Sequence, residues 1–162
     1  MADTIDVFFG TSGNQTKGIY HSTFDTESGQ LGQPNLAAEI GSPGFLAMDA
    51  DQSHLYAVGS TSEPCVAAYN IGNGGKLTLL NTEAISDGGA AHINVHPSGK
   101  FLMTAQYGGG SVGVFPVNKD GSVRKRSQLI EHEGGSGVIA GRQNAPHPHW
   151  TGYSPDGRFA FV

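Results

Sequence analysis

One spacing constrains this chain more than any single residue: related stretches return about every 46 residues. A polar turn entering an apolar strand occurs as DADQSHLYAVG (49–59), VHPSGKFLMTA (95–105) and YSPDGRFAFV (153–162), with Asp51, Pro97 and Pro155 separated by 46 and 58 residues. An alternating strand, a glycine-containing turn and a further strand occur as GIYHSTFDTESGQL (18–31), CVAAYNIGNGGKL (65–77) and SVGVFPVNKDGSV (111–123). Here Leu31, Leu77 and Val123 are 46 residues apart each time. Two landmarks of different composition that agree on one period define a tandem repeat.

Each unit has the chemistry of short strands joined by tight turns. In PSGK-type turns proline presets φ and glycine tolerates positive φ, and GNGG and NKDG serve the same purpose later in the unit. The 25 glycines and 8 prolines, about a fifth of the chain, supply such turns throughout. Between them lie runs of four to six residues with period-two alternation, so roughly four strands fit in one period. A helical solenoid requires amphipathic stretches of ten or more residues, and the sequence has none. A β-sandwich explains the turns but not the repetition. The fold class expected is therefore all-β, a β-propeller of four-stranded antiparallel blades. About three and a third units are present and Val162 falls within a predicted strand. An arc that short leaves unpaired strand edges. Residues 1–162 are accordingly expected to be the N-terminal portion of a single propeller domain, truncated before ring closure.

Charge bears on the partner. The formal net charge is −5, which gives no reason to expect nucleic acid or an anionic membrane. Residues 100–158 nevertheless hold seven of the nine Lys and Arg against four acids, a local +3, while the remainder carries −8. A small anion can be met locally despite the acidic total. Cys65 is the single cysteine, and MADTIDVFFG has neither a basic start nor a long apolar run. Both features lead us to expect a cytoplasmic protein.

The strings FFGTSGNQTKGIYHSTFDTESGQL (8–31), HPSGKFLMTAQYGGGSVGVFPVNKDGSV (96–123) and RQNAPHPHWTGYSPDGRFAFV (142–162) together resemble the lactonase-family propellers. The resemblance spans essentially the whole chain. It implies seven blades in the full protein, and an activity like that of the metal-independent 6-phosphogluconolactonases. The fold is also similar to that of the fungal enzyme that cyclises 3-carboxy-cis,cis-muconate. A small anionic sugar lactone is then the expected substrate, with no cofactor and no metal; a cycloisomerase or a non-catalytic ligand-binding propeller are the alternatives. One departure is visible: Gln106 stands where relatives commonly have Asn before the Tyr of YGGGSV.

Hydrolysis of a lactone needs a base for the attacking water and stabilisation of an oxyanion. His149 is the leading candidate for the base. It follows directly on the one break in the period, an insertion of about twelve residues ending in PHP, and insertions in repeat proteins gather on one face, often the binding face. In the muconate-cyclising relatives the corresponding His has been proposed as an acid/base, which the resemblance carries to His149. His147 lies two residues earlier, so on extended backbone its ring shares a side with that of His149. Such H-x-H pairs also occur in metal sites, but no Asp, Glu or Cys pattern nearby completes a ligand set. Arg142, in the same insertion, can clamp a phosphate or carboxylate. His92, in GGAAHINVHP, and Tyr107 complete the expected substrate-binding group. His21, His54 and His96 read as surface residues.

Overall fold

The computed structural model describes residues 3–13 and 15–162. Three antiparallel sheets follow one another along the chain and a fourth begins. The first contains β1 (Thr4–Phe9), β2 (Gly18–Asp25), β3 (Gln30–Leu31) and β4 (Asn35–Glu39). The second contains β5 (Gly41–Met48), β6 (His54–Ser60), β7 (Pro64–Ile71) and β8 (Leu77–Ala84). The third is β9 (His92–Val95), β10 (Phe101–Gln106), β11 (Ser111–Pro116) and β12 (Gln128–Glu131), and β13 (Gly152–Tyr153) with β14 (Ala160–Phe161) opens the next. The second and third sheets are simple meanders, β5-β6-β7-β8 and β9-β10-β11-β12. A single 3₁₀ turn, Asn73–Gly75, is the one helical element among the described residues.

The sheets stack face to face because the middle one is apolar on both sides. Along β6, Leu55 and Ala57 join a cluster with Ile19 and Ile40 toward the first sheet. The intervening Tyr56 and Val58 join Leu102, Phe115 and Ile93 toward the third. The same division sends Cys65, Ala67 and Tyr69 of β7 one way and Val66 and Ala68 the other, the period-two rule acting on a doubly covered sheet. Burial of this kind pushes the Cys65 thiol pKa up and that of the Tyr69 phenol to about 12, so both are neutral packing groups.

The first sheet departs from the four-strand pattern. By the 46-residue register β1 and β2 occupy the places of β6 and β7, so no described strand fills the inner place that β5 and β9 fill in their sheets. Its outer strand is also split. Both β3 and β4 pair with β2, and the break falls at Gly32–Pro34, where proline has no N–H to give the ladder. The Ser22 hydroxyl donates instead to the Gly32 carbonyl, at 2.7 Å.

Three histidines read as surface residues are half-buried at the seams between sheets. The ring of His21 packs on Gly75, that of His54 on Gly121, and that of His96 on Gly157, whose carbonyl lies 3.0 Å from His96 Nε2. In the first two pairs a Cβ on the glycine would run into the imidazole. Glycine is needed there for close approach, and each histidine fills the gap.

Candidate active site

Up-and-down strands send alternate connections to opposite ends of the stack. The turns 61–63 and 107–110 and the connections 85–91 and 132–151 share one end; the turns 49–53, 72–76, 96–100, 117–127 and 154–159 share the other. Every residue expected to contact substrate lies at or beside the first end. The long connection 132–151 contains no strand, as the break in period implied.

This connection is tied down at two points of the Tyr107–Gly110 turn. The His132 N–H donates to the Gly110 carbonyl at 3.0 Å. The His147 ring stacks on Tyr107, with centroids 4.4 Å apart and planes 16° apart. Its Nδ1 is 2.9 Å from the Tyr107 carbonyl and its Nε2 is 3.1 Å from the Arg142 carbonyl. A carbonyl can only accept, so the ring nitrogen is the donor in a hydrogen bond to either of them. His147 thus links the connection to the Tyr107–Gly110 turn.

His149 is placed differently. Its ring meets Tyr107 edge-on, 5.2 Å between centroids and 77° between planes. Tyr107 thus contacts both imidazoles of the H-x-H pair, one face to face and the other edge to face. His149 is exposed and borders an open groove of about 480 Å³ shared with His132, Glu133, His147 and Trp150. On its other side Tyr107 borders a second groove of about 500 Å³ lined by small residues, among them Ser42, Gly88, Gly89 and Gly108. The Arg142 guanidinium is exposed and pairs with no carboxylate among the described residues.

His92 is buried, 5% exposed, at the start of β9. It is joined to the others through the segment following His149: its ring lies 5.8 Å from Trp150 and 4.0 Å from Phe45 of β5, and its Nδ1 faces Thr151. Burial lowers its pKa, so the neutral ring is favoured. Thr151 and Phe45 escaped sequence reasoning because neither stands in a motif; their roles arise from a contact 59 residues apart and from a neighbouring sheet. Gln106 is fully buried, with Oε1 accepting from the Gly113 N–H at 3.2 Å. Its Nε2 is buried without a hydrogen-bond partner among the described residues.

At the opposite end, Asp49, Asp51 and His54 bring possible metal-ligand atoms within 4.8 Å of one another. These groups order their own turn. Asp49 accepts from the His54 N–H at 2.9 Å and Asp51 from the Ser53 N–H at 3.1 Å.

Residues 6–162 match the family model described as Lactonase, 7-bladed beta-propeller. The chain belongs to the seven-bladed lactonase propeller family. Among its curated relatives is the 6-phosphogluconolactonase of Bacillus subtilis, 37% identical over 155 residues, which span 92% of this chain and 44% of that protein. The 6-phosphogluconolactonase of Formosa agariphila is 29% identical over 149 residues, 90% of this chain and 42% of that one. A Bacteroides fragilis crystal structure, provisionally described as a 6-phosphogluconolactonase, superposes with a TM-score of 0.86 at 32% identity, covering 97% of this chain and 44% of the other. The chain thus spans less than half the length of these lactonase relatives. No helix among the described residues is long and apolar enough to cross a membrane.

Proposed function

We propose that the protein hydrolyses a sugar lactone, with 6-phosphogluconolactone as substrate, and that residues 1–162 form the N-terminal portion of one propeller domain. The observation that carries this reading is the position of His149, held against Tyr107 at the edge of an open groove in a chain 37% identical to a 6-phosphogluconolactonase. His149 accepts a proton from water as the water oxygen attacks the lactone carbonyl carbon. The carbonyl π electrons pass to its oxygen. When the oxyanion collapses, the C–O bond to the ring oxygen breaks, and the proton returns to that oxygen as it becomes a hydroxyl. Arg142 holds the phosphate or the developing carboxylate by its guanidinium fork. His147 serves as loop anchor.

The test is turnover of 6-phosphogluconolactone, corrected for spontaneous hydrolysis, by the wild type and by His149→Ala. A wild-type rate above the uncatalysed one, falling by about 10²–10⁴-fold in the variant, is expected for loss of a general base. A wild-type rate equal to spontaneous hydrolysis removes the reading. Undiminished turnover by His149→Ala removes the role of His149 alone.

A further inference from the structure

We propose that His92 is a second catalytic residue of this site, a hydrogen-bond donor to the lactone carbonyl whose tautomer is fixed by the main chain at Thr151; the assignment rests on the lactonase reading above. The main-chain N–H of Thr151 points at His92 Nδ1, 3.3 Å away. An amide N–H can only donate, so Nδ1 presents its lone pair and a neutral ring carries its one hydrogen on Nε2. This tautomer follows from the hydrogen-bond pattern.

Thr151 is well placed to impose that choice. It is fully buried, its hydroxyl oxygen lies 3.4 Å from both His92 Nδ1 and the Met103 carbonyl, and its own carbonyl accepts from the Asn94 side-chain amide at 3.3 Å. Met103 and Asn94 belong to the third sheet, so the third sheet fixes the N–H that fixes the ring. The ring plane is set by Phe45 on one side and by Trp150. Nε2 bonds to no described residue, and it is not among the sealed-off buried atoms left without a partner. It is therefore the ring nitrogen left without a protein partner among the described residues.

The groups around this imidazole carry no charge: Phe45, Trp150, Thr151 and the ladder partner Ala105. Burial adds to this by disfavouring the imidazolium. A neutral imidazole with a fixed N–H cannot take the proton from water at Nδ1, which is occupied. It can meet charge that develops on a carbonyl oxygen, and it does so without reorganising. His149 has the complementary property, since neither of its ring nitrogens is engaged by a described residue. Two histidines on one connection and its neighbouring strand thus divide the chemistry, one accepting the proton and the other stabilising the oxyanion.

Two measurements test this. In protein labelled with ¹⁵N-histidine, the His92 ring is expected to show a bare Nδ1 and a protonated Nε2 from pH 6 to 8. A protonated Nδ1, or an imidazolium at pH 7, overturns the proposal. In 6-phosphogluconolactone turnover, His92→Phe fills the slot without a donor and is expected to lower kcat by about 10²–10³-fold, with KM changing less. His92→Gln, whose amide offers an acceptor to Thr151 and an N–H outward, is expected to recover about tenfold of that loss. An active wild type matched by His92→Phe sinks the donor role while leaving the lactonase reading intact. A wild type no faster than spontaneous hydrolysis sinks the lactonase reading, and the His92 role with it.

Discussion

Burial gives His92 an acid sensitivity. Its folded pKa lies below the ordinary histidine value of about 6.5, so the unfolded chain takes up the proton first as pH falls. The stabilisation is complete above about pH 6.5 and is lost as pH falls through the lower, folded value. Urea midpoints measured at pH 7 and pH 5 are expected to fall more for the wild type than for His92→Gln, and equal falls would contradict the burial argument. At this scale the sequence was legible where a residue adjoined a visible irregularity. His149 and Arg142 stood out because an insertion preceded or contained them. Thr151 did not, because an N–H aimed at a ring 59 residues away leaves no local pattern. The spacing of His147 showed nothing of the two carbonyls and the stacked Tyr107 that engage its ring.

Among the elements, turns were the most readable. The DADQ, PSGK and PDGR turns precede β6, β10 and β14 as the period required. The partners of those turns across the seams were not readable, since a glycine looks alike whether it faces solvent or a ring. Gly121 has φ +83° and packs on His54, and its carbonyl accepts from the buried Tyr56 hydroxyl at 3.0 Å. Left-handed backbone alone costs an L-residue roughly 1–2 kcal/mol, and a Cβ there also displaces the His54 ring. Gly121→Ala is expected to destabilise by about 2 kcal/mol or more in urea denaturation. Combining it with His54→Ala should restore part of that loss, because the ring then no longer opposes the Cβ. The split of β3 from β4 was likewise hidden. Pro34 marks a break, but only the ladders show that both pieces pair with β2.

In the whole molecule, stability is concentrated between sheets. Phe115, fully buried, joins Tyr56, Val58, Leu102 and Ile93 across the seam of the second and third sheets. Phe115→Ala is expected to cost about 3–5 kcal/mol, read as a lowered urea midpoint with little change in slope. A cost under about 1 kcal/mol would show that the seam is not a close-packed core. The all-β class and the stacked repeat were legible because periodicity is a property of the chain itself. That no described strand pairs with β1 on its inner side was not, since the repeat shows what recurs and not where a unit starts.

The second sheet, finally, carries both halves of its own fastening. Gly75 receives the ring of the sheet before it, and His54 offers a ring to the sheet after it. Gly75 and Gly121 are 46 residues apart, at equivalent points of their repeats. A copy of residues 41–86, one full 46-residue period, placed after itself would set a His54 against a Gly75 just as the native chain sets His54 against Gly121. This segment is thus a self-complementary building block, and the natural unit from which to assemble a synthetic array of identical modules.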